Sequence, residues 1–215
     1  MTDSITVSSL RAFLTRLADL VAENAAHLTE LDAAIGDADH GANLKRGFAA
    51  VADAIDGAEF ATTDELMKKV GMTLVSSVGG ASGPLYGTFF LRLGTAVPGE
   101  AELSAEQFAQ AFAAGVQGVA ERGKAEAGDK TMLDALKPAA EAITAGASTK
   151  PLPQVLADAL TAAEQGRDSV TDSVAKKGRA SYVGERAIGH VDPGAESAVL
   201  LVRALSESIS EEAAA

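Results

Sequence analysis

Residues 5–31 read ITVSSLRAFLTRLADLVAENAAHLTEL. Within this stretch Leu10, Phe13, Leu14, Leu17, Val21, Leu28 and Leu31 fall at helical spacing and trace one apolar face. A single long helix over 5–31 is predicted. The same period returns in Phe108, Phe112, Val116 and Val119, and again in Ala198, Leu201, Val202, Leu205 and Ile209. No stretch alternates with period two. Eight helices are predicted, over 5–31, 41–56, 63–77, 83–94, 104–122, 131–146, 153–169 and 194–210. The Ala/Glu tail after Ser210 is expected to fray. Neither an internal repeat nor a long linker is visible, so one domain spanning 1–215 is expected. Its fold class is all-α, an up-and-down antiparallel bundle or barrel of eight helices.

Composition agrees. The 215 residues are enough for one substantial core. Hydrophobic residues make up 47% and charged residues 22%, ordinary for a globular chain. Aromatics are only 4% and Trp is absent, while alanine is abundant. Alanine is the best helix former, and small side chains let helices approach closely. The absence of cysteine excludes disulfides, thiol catalysis and zinc–thiolate sites. The net charge of -12 repels nucleic acid and anionic membrane surfaces. Residues 1–9 lack a basic-then-apolar signal, and no run of about 18 apolar residues occurs. The expectation is a cytoplasmic protein with no nucleic-acid or membrane partner.

The connections between the expected helices are of two kinds. Asp56–Thr62, Thr95–Leu103 and Gly146–Leu152 hold ordinary turn residues. Those after helices one, three, five and seven are richer: LDAAIGDADHGAN, SSVGGASGPLYG, GKAEAGDKTMLD and KKGRASYVGERAIGHVDPG. In an up-and-down bundle alternate loops lie at the same end. The four rich segments therefore converge on one rim, where a site is expected.

The first segment carries Asp32, Asp37 and Asp39, followed by His40 and Asn43. Clustered carboxylates need a cation or solvent, and hard oxygen donors suit Mg²⁺ or Ca²⁺. The spacing does not match an EF-hand, which needs a glutamate at its twelfth position. Magnesium usually takes one or two carboxylates plus substrate phosphates, so three carboxylates suit two Mg²⁺ bridged by a nucleotide. Helix capping by Asp32 or Asp39 is the alternative.

In the second segment Ser82 is a candidate N-cap, with Pro84 in the first turn. A small-residue loop opening a helix presents N–H groups that suit phosphate; close helix packing explains it equally. It is neither a Walker A nor a Rossmann motif. In the third segment Asp129 or Thr131 is a candidate cap, and Met132 is either core or a contact for a flat ring. The fourth gathers Lys176, Lys177, Arg179, Arg186 and His190 before Asp192-Pro193, a strong helix start. Arg179 is the candidate phosphate fork, a solvated basic patch the alternative.

These four segments resemble the L subunit of dihydroxyacetone kinases. The matching strings are Gly36-Asp37-Ala38-Asp39-His40-Gly41, Gly79-Gly80-Ala81-Ser82-Gly83-Pro84-Leu85-Tyr86-Gly87, Gly128-Asp129-Lys130-Thr131-Met132-Leu133-Asp134, and Gly178-Arg179-Ala180-Ser181-Tyr182 with Asp192-Pro193-Gly194. They cover essentially the whole chain in order. Family members often carry glycine where this chain has Ala38. The resemblance implies a barrel of eight antiparallel helices with the nucleotide at one end. It implies two Mg²⁺ held by Asp32, Asp37 and Asp39. Nucleotide contacts are implied from His40, Gly41, Ala42, Asn43, Ala81, Ser82, Gly123, Met132, Arg179, Asp192, Pro193 and Gly194. In the family, dihydroxyacetone is held covalently by a histidine on a separate K subunit or domain. Either ADP stays bound as a cofactor and is rephosphorylated by a phosphohistidine M subunit, or ATP exchanges as a substrate.

The implied reaction is phosphoryl transfer from the magnesium-bound nucleotide to dihydroxyacetone on the partner, which demands mainly positioning and charge neutralisation. No general base is assigned, and His40 is read as a phosphate contact. The rival readings are a kinase component for another short keto-sugar such as erythrulose, and a nucleotide-binding regulatory protein without catalysis.

Overall fold

The computed structural model describes residues 4–214, with side chains through Ser210. Its described residues form β1 (Ser4–Thr6), α1 (Val7–Glu23), α2 (Ala25–Ile35), α3 (His40–Ile55), α4 (Thr63–Ser77), α5 (Ser82–Thr95), β2 (Glu102–Ser104), α6 (Ala105–Gly123), α7 (Leu133–Gly146), α8 (Leu152–Ser169), a 3₁₀ segment (Arg179–Ala187) and α9 (Pro193–Ala214). The molecule is mostly helical, as its periodicity predicts. The helix expected over 5–31 is two helices. Asn24 interrupts it with φ -98 and ψ 5, and its side-chain amide donates to the Leu20 carbonyl at 2.8 Å. A short amide that bonds to nearby backbone competes with helix continuation. The last helix continues past Ser210 to Ala214.

Two strands were not legible in the sequence. β1 and β2 pair antiparallel, Ile5 opposite Leu103, and both of these side chains are fully buried. Each strand runs straight into a capping box. Ser9 N–H donates to Thr6 Oγ1 at 3.1 Å at the start of α1, and Gln107 N–H donates to Ser104 Oγ at 3.2 Å at the start of α6. The ribbon thus ties the beginnings of α1 and α6 together. Three residues are too few for alternation to register.

Helices adjacent in the chain pack on one another from α2 to α9, α3 packs on α1, and α9 returns to pack on α1. Small residues permit the closest of these approaches. A Cβ on Gly71 would stand 2.8 Å from the Gly87 carbonyl oxygen, and one on Gly87 2.9 Å from that of Gly71, so α4 and α5 cross with backbones touching. The core is filled by aliphatic side chains and edge-to-face aromatics: Phe89 meets Phe90 at 5.2 Å and Phe112 at 5.3 Å. A separate small cluster of Ile35, Ala175, Ala180 and Ala187 seats the 3₁₀ segment against the end of α2. Among the described residues no helix is long and apolar enough to cross a membrane.

Candidate functional site

Asp32, on the last turns of α2, is buried, whereas Asp37 and Asp39 in the following loop are exposed. One carboxylate oxygen from each lies within 4.8 Å of the others. Asp32 Oδ2 accepts from the backbone N–H groups of Asp39 at 2.9 Å and His40 at 3.1 Å. It therefore caps α3 from the preceding helix, while Asp39, at the N-cap position, makes no side-chain capping bond. Capping and the metal reading are compatible, because both N–H groups bond to Oδ2 and the capping does not occupy Oδ1 of Asp32. Gly36 makes room for it: a Cβ there would stand 1.9 Å from Asp32 Oδ1. The donors are hard oxygens, and they fit a divalent cation such as Mg²⁺.

His40 opens α3 and is almost wholly buried. Its Nδ1 lies 3.1 Å from Ser82 Oγ and its Nε2 2.9 Å from Ser197 Oγ. Ser197 Oγ donates to the Gly194 carbonyl at 3.0 Å and lies 2.7 Å from the Tyr86 hydroxyl. Because the single Ser197 proton is spent on Gly194, Tyr86 donates to Ser197, and His40 donates to it from Nε2–H. Nδ1 is then unprotonated and accepts from the Ser82 hydroxyl. Burial pushes His40 below its ordinary pKa, against the opposing pull of Asp32 and Asp39, which matches a neutral ring. This chain of groups locks the openings of α3, α5 and α9 together. Ser197 carried no sequence signal, since it is a small polar residue inside an apolar helix. Tyr86 lay within a motif string but had no assigned part.

A cavity of about 540 Å³ opens at this point, and residues from all four rich connections line it. Of the residues expected at the nucleotide, His40, Ala81, Ser82, Gly123, Met132, Arg179, Asp192, Pro193 and Gly194 border it, together with Asp32, Asp37 and Asp39. Gly41, Ala42 and Asn43 are not among the lining residues. Gly41 is buried between helices, where a Cβ would stand 2.0 Å from the Ala25 carbonyl oxygen. Ala42 is exposed on the outer side of α3. Asn43 is buried beneath Gly79 and accepts from Arg46 at 2.8 Å. Leu85, Val119 and Leu133 add an apolar wall beside Met132.

The expected caps shift slightly. Ala81 occupies the N-cap of α5 without a side-chain bond, and the Ser82 hydroxyl serves His40 instead. At α7 the Thr131 hydroxyl accepts from Leu133 N–H at 3.2 Å, while the Asp134 carboxylate accepts from Thr131 N–H at 2.7 Å. Asp129 instead accepts from Glu126 N–H at 2.9 Å. Asp192 caps α9 as expected, accepting from Ala195 N–H at 2.8 Å. Burial pushes its carboxyl up to about 7, with Asp134 adding to the effect.

Arg179 forms an ion pair with Asp37 at 2.8 Å, so the candidate phosphate fork already stands beside the aspartates. Lys177 also lines the cavity, whereas Lys176 faces Asp129 at 3.7 Å and Arg186 and His190 lie exposed outside the lining. Lys130, within the third segment's motif string, has no sequence signal for burial, yet it is fully buried at the cavity wall.

Comparison with known proteins identifies the family. The model of the DAK2 domain matches residues 34–207. The chain is 42% identical over 209 residues to the PEP-dependent dihydroxyacetone kinase ADP-binding subunit DhaL of Escherichia coli, covering 97% of this chain and 100% of that protein. It is 43% identical over 196 residues to an ADP-binding subunit DhaL of Listeria innocua, covering 91% of this chain and 93% of that one. Among solved structures it superposes on the C. freundii dihydroxyacetone kinase in complex with AMP-PNP and Mg²⁺ with a TM-score of 0.75 and 26% identity, over 95% of this chain but 34% of that longer one. In motifs, fold and near-full-length similarity alike, the chain belongs to the DAK2 domain family, the family of the dihydroxyacetone kinase L subunits.

Proposed function

We propose that this chain is the nucleotide-binding component of a dihydroxyacetone kinase, passing a phosphoryl group from magnesium-bound nucleotide to dihydroxyacetone held on a partner K subunit. The observation that carries the reading is the meeting of Asp32, Asp37 and Asp39 with Arg179 at one mouth of a cavity lined by all four rich connections. Its volume falls within the ordinary range for small-molecule sites. The apolar wall of Leu85, Val119, Met132 and Leu133 suits the base. The openings of α5 and α9 and the Arg179 guanidinium suit the phosphates. Two Mg²⁺ held by the three aspartates would supply the positive charge that lets carboxylates and polyphosphate share one site. His40, fixed by Ser197 and Tyr86, orients the Ser82 hydroxyl at the cavity edge. Gly41 and Asn43, buried at the start of α3, support the site by packing, and Ala42 lies between them on the exposed side of the same turn.

The full-length similarity to PEP-dependent ADP-binding subunits favours ADP as a retained cofactor, rephosphorylated by a phosphohistidine M subunit. ATP as an exchanging substrate is the other branch. A cytoplasmic location accompanies this reading. So does one domain over 1–215, built as an up-and-down barrel of eight helices with α1 and α2 counted as one. The return of α9 onto α1 supports closure.

The test is calorimetric titration of ADP with Mg²⁺ into the wild type and Asp37→Asn, followed by a coupled assay with K subunit and dihydroxyacetone. Binding should vanish in the variant while far-UV helicity persists. Normal ADP binding by Asp37→Asn would remove the metal assignment. Binding without transfer in the coupled assay would favour the regulatory reading, and transfer to erythrulose alone would redirect the substrate.

A further inference from the structure

We infer that Lys130 is a positioning residue: buried beneath residues 171–187, it holds that segment, and with it Arg179, over the three aspartates. The inference rests on the nucleotide-site reading above. Lys130 has no exposed surface. Its ammonium donates to the backbone carbonyls of Thr171 at 2.7 Å, Ser173 at 3.1 Å and Ala187 at 2.6 Å. An ammonium has three protons, and all three are spent on these carbonyls. Although Lys130 is among the residues lining the cavity, its ammonium has no proton left to offer a phosphate. Its partners bracket Arg179, two before it and one after.

The other side-chain ties from the segment to the aspartate loops are ion pairs of exposed cations, Arg179 with Asp37 at 2.8 Å and Lys176 with Asp129 at 3.7 Å. The segment's apolar seat is the small cluster of Ile35, Ala175, Ala180 and Ala187. Two backbone bonds assist, Lys176 N–H to the Asp129 carbonyl at 3.0 Å and Gly189 N–H to the Thr171 carbonyl at 2.9 Å. Between them Gly178 and Gly184 take positive φ values of 68 and 60, where the chain changes direction. Lys130 itself sits at φ 62, a conformation that a side chain adopts only when its surroundings impose it. Burial pushes its ammonium below the ordinary lysine value, with Asp192 and Asp172 acting against that. A buried cation that serves only carbonyls of one segment is a fastening for that segment.

The experiment compares the full-length wild type with Lys130→Met, Arg179→Ala and the double variant. It measures ADP affinity by calorimetry in excess Mg²⁺ and amide hydrogen exchange across 171–189. Lys130→Met should weaken ADP binding about ten-fold and speed exchange in that segment, the scale expected when a charge-assisted contact is lost. The double variant should bind within about two-fold of Arg179→Ala alone, because Lys130 acts through Arg179. A merely structural lysine would lower the melting temperature without this non-additivity. Unchanged ADP affinity, additive losses, or weaker binding with unaltered exchange would each overturn the inference. If Lys130→Met does not fold, Gly189→Ala replaces it. That position has φ +81 and open space around an added Cβ, so the change strains only the neck of the segment. It should show the same non-additivity with Arg179→Ala, and additivity would again be fatal. Failure of the wild type to bind ADP would sink the nucleotide reading and this inference together, whereas wild-type binding unaffected by the variants would sink this inference alone.

Discussion

Ala38 shows how one residue carries two messages. It holds φ 61 in the loop between Asp37 and Asp39. That left-handed conformation costs a residue with a Cβ roughly 1–2 kcal/mol, and glycine avoids the cost. The glycine common at this place in the family thus has a conformational reason. Ala38→Gly should raise stability by about 1 kcal/mol in urea denaturation and leave ADP affinity unchanged. No gain in the denaturation midpoint would mean the loop carries no such strain. The aspartates beside it should separate by role. Asp32→Ala removes the acceptor for Asp39 and His40 N–H and should cost about 1 kcal/mol of stability besides abolishing metal-dependent binding. Exposed Asp37 should lose binding only. Ser197→Ala leaves buried His40 and Tyr86 without their shared partner and should cost about 1–3 kcal/mol. Denaturation curves of the three variants against wild type decide all of this.

At the scale of elements, the break at Asn24 separates α1 from α2, whose last turns carry Asp32 and Ile35 to the rim. The periodicity of 5–31 concealed that break, because buried Leu20 and Leu28 lie on either side of it at helical spacing. The join between α2 and α3 depends on Gly41, where a Cβ would stand 2.0 Å from the Ala25 carbonyl oxygen and 2.5 Å from Thr29 Oγ1. Backbone cannot yield cheaply. Gly41→Ala should destabilise the protein by about 1–3 kcal/mol, the usual scale for overpacking, and should weaken ADP binding indirectly by shifting His40. Thermal unfolding with and without ADP measures both effects, and a neutral substitution would show that the two helices part readily.

For the whole molecule, the end away from the cavity has its own electrostatic anchor. Asp64 joins connections that carry no site residue: its carboxylate accepts from Thr62 Oγ1 at 2.6 Å, Lys68 Nζ at 2.7 Å and Gly99 N–H at 2.9 Å. Although burial opposes ionisation, these bonds hold its carboxyl down at about 2, against 3.8 when free. The folded value lies below the unfolded one, so the stabilisation is full above about pH 4 and is lost as pH falls through about 2. Asp192 runs the other way. Its folded value of about 7 exceeds its free value of 3.8, so its contribution is full below about pH 4 and fades as pH rises through about 7. Asp64→Asn should flatten the acid limb of a ligand-free stability–pH curve and leave the neutral side's slope unchanged. A steep acid limb surviving in the variant would place the linkage elsewhere. The net charge of -12 sets a second expectation. Long-range attraction for ADP is unfavourable, so chelating Mg²⁺ with EDTA should weaken binding far more than Arg179→Ala, and Arg179→Ala more than Ser82→Ala. Calorimetry that ranks them otherwise would unseat the metal as the main device.

Helical class, helix positions to within a few residues and the four rim segments were decided by the sequence itself, because period, turn residues and caps are local properties written in neighbouring positions. The aspartate trio was legible for the same reason, lying within eight residues of one another. Tertiary structure alone decided what depends on distant partners. The β1–β2 ribbon joins residues about a hundred positions apart. Ser197 and Tyr86 become the supports of His40 only when α3, α5 and α9 meet. Lys130 becomes buried only when the carbonyls of 171–187 fold over it. A buried polar group is defined by what surrounds it, and those surroundings come from other parts of the chain.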